Sequence, residues 1–270
     1  MTTSLLALVM HGAGGRMGRE IIGCSAEDDS IALIGALDAA DHPDAWKDVR
    51  LSPDFDAAWV RDSDLKPVVI DFSIPEASLR AAKWCQQQGC PLVVGTTGFT
   101  EAQKQELILA GQQIPLLISA NMSLGANVLL GVLSQVAHSL GRLSDIEIVE
   151  WHHRYKRDAP SGTALAMGEA IASALDLDWP ESAWLDRQQN QDPDKRRNMI
   201  GFSSLRAGDM AGQHSALFAL EGESLELGHR VTSRRCFAHG ALTAARWLSQ
   251  RSAGCYSMRD VLGLNGQAYG

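Results

Sequence analysis

A chain of 270 residues is long enough to bury a full core and to divide into two domains. Hydrophobic residues make up 45% and charged residues 21%, ordinary values for a globular protein. A net charge of −8 makes the surface as a whole repel nucleic acid and anionic lipid, so neither is expected as a partner.

In chain order, the apolar run Leu5 to Met10 reads as a first strand that enters Gly12-Ala13-Gly14-Gly15-Arg16-Met17-Gly18, followed by the helical pattern Arg19 to Ala26. The spacing is Gly-x-x-Gly-x-x-Gly, a variant of the strict dinucleotide fingerprint, and its physics is the same. Missing side chains let a pyrophosphate approach the backbone, and the helix start offers N–H groups and a favourable dipole. A second strand, Ile31 to Leu37, ends at Asp38, about 20 residues past Gly18, where an acid meets ribose hydroxyls. The alternation continues through a buried strand Pro67 to Phe72, a helix from Pro75, and a strand Leu92 to Val94 that ends in Gly95-Thr96-Thr97-Gly98. A helix over 101–111 and a strand Pro115 to Ser119 lead to Ala120-Asn121-Met122. These strand ends are where the nicotinamide half of a dinucleotide is expected.

The second half reads differently. An apolar-periodic stretch, Leu124 to Leu140, predicts one helix crossing between domains, and Ile146 to Trp151 predicts a strand. That strand delivers the chain to Glu150-Trp151-His152-His153-Arg154-Tyr155-Lys156-Arg157-Asp158-Ala159-Pro160-Ser161-Gly162-Thr163-Ala164. Either histidine can carry a proton near neutral pH and release it in a transition state. The fixed charges of Arg154, Lys156 and Arg157 pair with carboxylates, and a substrate dianion raises the pKa of a neighbouring histidine. Ser161-Gly162-Thr163 before a helix-forming run fits a helix start, a second anion site. Acid catalysis on a dicarboxylate is the chemistry such a segment serves; seen alone, the same cluster also fits a solvated basic loop.

Beyond it, Met199 to Leu205, His214 to Leu220 and Ser224 to Val231 predict strands in succession, an antiparallel or mixed sheet with one face left over. The last helical stretch, Ala238 to Leu248, is followed by Met258 to Leu262 and is expected to pack back on the first domain. No apolar run approaches the roughly 20 residues that span a bilayer, so no membrane is expected. Five cysteines, odd in number and without paired zinc spacing, predict reduced thiols, a cytoplasmic location and no metal. The polar stretch Asp186 to Arg197 is the nearest to a mobile loop.

Taken together, the glycine turn, Gly95-Thr96-Thr97-Gly98-Phe99, Asn121-Met122-Ser123-Leu124-Gly125, the whole of Glu150 to Ala164, Arg206-Ala207-Gly208-Asp209 and Phe237 to Trp247 resemble the 4-hydroxy-tetrahydrodipicolinate (dihydrodipicolinate) reductases. The resemblance covers most of the chain. It implies an α/β fold, with a Rossmann-like parallel-sheet dinucleotide-binding domain over 1–122, completed by 234–270. An α+β domain with an open mixed sheet, for substrate binding and oligomerisation, covers 123–233. It implies NAD(P)H-dependent reduction of the dihydrodipicolinate substrate to tetrahydrodipicolinate in lysine and diaminopimelate biosynthesis, by a cytoplasmic homotetramer acting on a small dicarboxylate.

By position, the resemblance makes His152 the proton donor and Lys156 the catalytic lysine. His153, Gly162 and Thr163, with Ser161 of the same turn, meet the substrate carboxylates. Gly12, Ala13, Gly14, Gly15, Arg16, Met17, Asp38, Gly95, Thr96, Thr97, Ser119, Ala120, Asn121 and Met122 meet the cofactor. Family members that accept NADPH commonly follow the acid with an arginine, whereas Ala39 and Ala40 follow Asp38 here, so NADH is expected over NADPH. Arg16 and Lys47 are the cations able to offset that preference. The stretch between Asp38 and Val68, which borders the adenosine site, is shorter than is usual in the family. Two rivals remain: another two-domain nicotinamide dehydrogenase, which leaves the histidine segment a coincidence, and a non-catalytic dinucleotide sensor, which has no need of a proton donor.

Overall fold

Every residue of Leu6–His11 (β1) is buried, as a strand covered on both faces of a parallel sheet must be. In the computed structural model, which describes residues 5–38, 51–52, 55, 66–186 and 198–264, this strand is one of seven in a wholly parallel sheet. The others are β2 (Ile31–Leu37), β3 (Leu51–Ser52), β4 (Val68–Asp71), β5 (Leu92–Val94), β6 (Pro115–Ile118) and β12 (Gly254–Tyr256), in the order β12-β6-β5-β4-β1-β2-β3. Chain contacts divide the protein into two units, Met1–Leu124 with Arg234–Gly270, and Gly125–Ser233.

In the first unit the helices are α1 (Arg16–Ser25), α2 (Pro75–Gln88), α3 (Glu101–Ala110), α6 (Arg235–Leu248) and the short α7 (Met258–Val261). Their limits follow local chemistry. Pro75 opens α2 where its missing N–H costs nothing, and Gly89 closes it at φ 63°, a left-handed conformation that glycine adopts without strain. Thr100 and Gln103 cap α3 reciprocally. One apolar cluster joins Leu8, Met10 and Ile70 of the sheet to Ile21 of α1 and to Ala241 and Leu248 of α6. The other joins Val9, Val69 and Leu92 to Cys85 of α2 and Leu107 of α3.

The second unit holds α4, whose residues run Leu124–Leu140, α5 (Gly162–Ala174) and a five-stranded sheet in the order β11-β10-β7-β9-β8. The strands are β7 (Asp145–His152), β8 (Ala183–Trp184), β9 (Ile200–Arg206), β10 (Gly212–Ala219) and β11 (Ser224–Val231). The sheet is mixed: β10 runs antiparallel to β7 and β11, whereas β9 runs parallel to β7 and β8. Leu133, Ala137, Ile148, Met167, Ile171 and Phe218 form its core with α4 and α5. A Rossmann-like parallel sheet and a second, mixed sheet make this an α/β protein.

Three expectations are adjusted. α1 starts inside the glycine turn, at Arg16, because Gly18 packs so close to the turn that a Cβ there would lie 2.2 Å from the Gly12 carbonyl oxygen. The edge strand β12 has no counterpart in the sequence pattern. Finally, Leu124–Leu143 is long and apolar enough, by length and composition, to span a bilayer, which corrects the expectation that no run is. One face of it, carrying Leu129, Leu133 and Ala137, lies within the core of the second unit. Of the Asp186 to Arg197 stretch, residues 187–197 lie outside the described residues, as do Ala39, Ala40 and Lys47.

Candidate active site

β7 alternates with period two, so Ile146, Ile148, Glu150 and His152 face one side, and the first two lie in the core. The last two continue that buried row as a carboxylate and an imidazole, at 0% and 8% exposure. Burying a charge is costly unless it is paired, and Glu150 is paired on every side. Arg206 of β9 grips it with two parallel bonds, Nη1 to Oε2 at 2.8 Å and Nη2 to Oε1 at 2.7 Å. The Ser161 backbone N–H donates to Oε1 at 3.2 Å, and His152 Nδ1 lies 2.5 Å from Oε2. Burial alone raises the Glu150 pKa, but the hydrogen bonds from Arg206, Ser204 and His152 with the Arg206 charge outweigh it and hold the group at about 2.

An ionised carboxylate only accepts, so His152 Nδ1 carries the hydrogen, and Nε2 is the atom left for chemistry. Gly212 of β10 makes room for it: a Cβ there would come within 2.9 Å of Nε2. Burial lowers the His152 pKa; the hydrogen bond and charge of Glu150 push it back up, while Lys156 and Arg206 add to the lowering. The net result lies below the usual imidazole value, so the free imidazole is neutral at pH 7. Negative charge placed beside the ring would raise that pKa.

A second histidine backs the first. His214 of β10 packs edge-on against His152, ring centroids 5.0 Å apart, and its Nε2 lies 2.9 Å from the Ser161 hydroxyl. Burial, then the charge of His152, lowers its pKa to about 4, so it stays neutral. Ser161 is the N-cap of α5, accepting the Ala164 N–H at 3.2 Å. With the hydroxyl spent on Ala164 and His214, Ser161 holds the helix start in place. Gly162 is exposed, with open space where a Cβ would stand, so the first turn of α5 is accessible. Lys156 pairs with Asp158 at 2.8 Å, and that carboxylate is 60% exposed. His153 turns away from the Glu150 cluster; its Nδ1 is buried without a protein partner, and its ring lies 6.3 Å from that of Tyr155.

The residues expected to meet the cofactor gather in the first unit at the carboxyl ends of β1, β2, β4, β5 and β6, where the parallel registers align His11, Leu37, Asp71, Val94 and Ile118. Between β4 and β1 the strand order reverses, the position at which such sheets bind ligands. Gly12 has φ +78°, and a Cβ there would lie 2.3 Å from the Phe72 carbonyl oxygen. Gly15, the N-cap of α1, offers no side-chain cap, and the first turn holds no acid, so the positive end of the helix fits a pyrophosphate. Asp38 accepts the Gly14 N–H at 2.6 Å, which places its carboxylate against the turn. Arg16 and Thr97 are exposed; Met122 is buried in the core and offers its backbone only. Asn121 Oδ1 accepts the Ser123 N–H at 2.9 Å, and the Ser119 hydroxyl donates to the Asn121 carbonyl at 2.8 Å.

Glu150, Arg206 and His214 have roles that the sequence reading did not assign. The signal was present in the alternation of β7, where polar residues take over an apolar row. A second polar cluster forms around the buried Asp71 carboxylate, which His11, Ser73, Ser78 and Thr96 contact; of these the sequence pattern singles out only Thr96. Among the described residues no group of His, Cys, Asp or Glu is arranged to hold a metal.

Family models described as dihydrodipicolinate reductase, N-terminus and C-terminus, match residues 6–122 and 125–262. Among solved structures, a dipicolinate-bound dihydrodipicolinate reductase from Paenisporosarcina sp. TG-14 is 24% identical with a TM-score of 0.76, covering 94% of this chain and 97% of its own. An amine dehydrogenase from Mycobacterium smegmatis is 10% identical with a TM-score of 0.59, covering 94% and 95%. GenD2 from gentamicin A biosynthesis, in complex with NAD, is 12% identical with a TM-score of 0.59, covering 98% and 92%.

Proposed function

The chain belongs to the dihydrodipicolinate reductase family, and from that membership we propose how its own residues carry the reaction. The protein is a nicotinamide-dependent oxidoreductase that reduces the dihydrodipicolinate substrate to tetrahydrodipicolinate in lysine and diaminopimelate biosynthesis. Neither rival reading gains support: a sensor has no need of the His152 cluster, and a general dehydrogenase leaves it unexplained.

Reducing a C=N bond conjugated to a carboxylate needs a hydride at one atom and a proton at the atom that receives the displaced electrons. The nicotinamide, when bound, supplies the hydride. His152 supplies the proton from Nε2, and the observation that carries this assignment is the buried Glu150 carboxylate on its Nδ1. Glu150 fixes the ring and stabilises the imidazolium. A substrate carboxylate displaces Asp158 from Lys156, since a pair with so exposed a partner is weak. The N–H groups at the start of α5, at Gly162 and Thr163, together with His153, receive the other carboxylate. The dipicolinate in the Paenisporosarcina structure supports a small dicarboxylate of this kind. Lys156→Met is therefore expected to raise KM and lower kcat together, each on the order of tenfold. Wild-type values of both would return Lys156 to the role of a surface lysine.

Residues 1–122 with 234–270 bind the dinucleotide, and residues 123–233 bind substrate and assemble. Gly12 to Met17, Asp38, Gly95 to Thr97 and Ser119 to Met122 receive the cofactor. Asp38 accepts hydrogen bonds from the ribose hydroxyls, whereas a 2′-phosphate there meets a like charge. NADH is accordingly preferred over NADPH, and kcat/KM measured for each at fixed substrate decides it. An equal or higher value with NADPH would mean that Arg16 or Lys47 pairs with the phosphate.

β11 is an edge strand, and Leu205 on β9, paired with Trp151 on the sheet face turned away from the core, is exposed at 40%. Paired sheets cover such faces, so light scattering at micromolar concentration should report a homotetramer; a monomer contradicts it. The five unpaired cysteines accord with a reducing, cytoplasmic setting.

A further inference from the structure

Asp71, the last residue of β4, is completely buried and accepts four side-chain hydrogen bonds. His11 Nδ1 and the Ser73 hydroxyl reach Oδ1, each at 2.6 Å. The Thr96 hydroxyl reaches Oδ2 at 2.8 Å, and the Ser78 hydroxyl donates to the same oxygen. Two carboxylate oxygens have about four lone-pair positions, so Asp71 is filled and has nothing left for a ligand. Whatever it does, it does through its donors.

Those donors come from places far apart in sequence that share one edge of the sheet. His11 ends β1, Ser73 follows β4, Thr96 follows β5, and Ser78 lies in α2, with the three strands adjacent in the order β5-β4-β1. Thr96 Oγ1 also accepts the Ser73 N–H at 2.8 Å, which ties two of the turns directly. Backbone packing between them leaves no slack. The Phe72 carbonyl sits where a Cβ of Gly12 would go, and the Phe72 ring sits where a Cβ of Gly95 would go, 2.2 Å away. On its other side His11 meets the ring of Phe55, centroids 4.9 Å apart, and Phe55 stacks on the buried Trp84 at 5.1 Å.

We propose that Asp71 is a positioning residue for the dinucleotide: its buried carboxylate gathers the turns after β1, β4 and β5 into the arrangement that receives the cofactor. The proposal rests on the reading of this strand edge as the cofactor site. It explains why Thr96, in a turn assigned to the cofactor, points its hydroxyl inward: the hydroxyl sets the turn, and the backbone of Gly95 to Thr97 faces the ligand. It also gives a role to His11, which stands immediately before the glycine turn.

The test is calorimetric titration of the full-length protein with NADH and, separately, with dipicolinate, together with cofactor and substrate KM, for wild type, Asp71→Asn and Ser78→Ala. Asparagine keeps the shape but offers one acceptor oxygen, so hydroxyls that donated to Oδ2 lose their acceptor or must reverse. The expected result is a rise in NADH Kd and KM of about tenfold, with dipicolinate Kd and substrate KM unchanged. Ser78 is fully buried, and its hydroxyl, which also lies 3.1 Å from the Ile74 carbonyl, donates to Asp71; Ser78→Ala removes that donor and is expected to raise NADH Kd roughly threefold. A carboxylate that served folding alone would lower Tm while leaving NADH affinity as it is, or weaken both ligands alike, and either pattern overturns the proposal. If Asp71→Asn does not fold, Ser78→Ala decides: unchanged NADH affinity there is equally contrary. Failure of the wild-type protein to bind NADH or NADPH strikes instead at the reading of the strand edge as the cofactor site.

Discussion

Replacing His152 by alanine is expected to lower kcat on the order of 10²-fold while cofactor affinity stays within about twofold, the loss typical of a missing general acid. The expectation follows from the division of the imidazole between a buried carboxylate at Nδ1 and an open Nε2. Steady-state kinetics at saturating cofactor and substrate measure it, and unchanged turnover removes His152 from the chemistry. The pH dependence carries the sign of the mechanism. In the free enzyme the His152 pKa is lowered, so kcat/KM falls as pH rises from below the ordinary imidazole value. In the complex, the substrate dianion raises that pKa, so the corresponding limb of kcat lies at higher pH.

Glu150→Gln should be the most damaging single change in the second unit. It breaks a bidentate pair and leaves Arg206, whose side chain is 18% exposed, facing an amide. Removing one partner of a buried pair costs about 3–5 kcal/mol. The pH window has a defined direction. The Glu150 pKa is depressed from 4.5 to about 2 in the folded state, so its contribution is complete above about 4.5 and is lost as pH falls through about 2. Denaturant melts should therefore show a wild-type advantage that is full at neutral pH and shrinks in acid. Loss of the carboxylate also removes the influence that raises the His152 pKa, so the alkaline limb of kcat/KM moves to lower pH in the variant. A variant as stable as wild type at pH 7, with an unmoved limb, is incompatible with the pair as described.

Much of the fold can be read from residue patterns because burial enforces them. The runs that form β1, β2 and β4 are apolar at nearly every position, as a doubly covered sheet requires, and the Leu124 to Leu140 periodicity matches the limits of α4. β3 and β12, two and three residues long, are too short to carry a period, and β12 is recruited to the edge by β6. Gly18 reads as a turn residue and sits in a helix, because close packing against Gly12 and Ala13, not local propensity, selects it. The histidine segment was legible as chemistry, whereas its support was only half so. Glu150 lies on the same parity as His152 and was there to be noticed. Arg206 and His214, by contrast, arrive by strand pairing across β9 and β10. The Asp71 cluster lay further from sight: its donors, at 11, 73, 78 and 96, converge only once the sheet order is known.

The most direct measurement is oxidation of NADH by the purified protein with the dihydrodipicolinate substrate as the only acceptor, run in parallel for wild type and His152→Ala. Substrate-dependent oxidation in the wild type, reduced on the order of 10²-fold in the variant while its NADH affinity is retained, is the predicted result. Absence of oxidation with that substrate, equal oxidation with unrelated carbonyl compounds, or a variant as fast as wild type would contradict it.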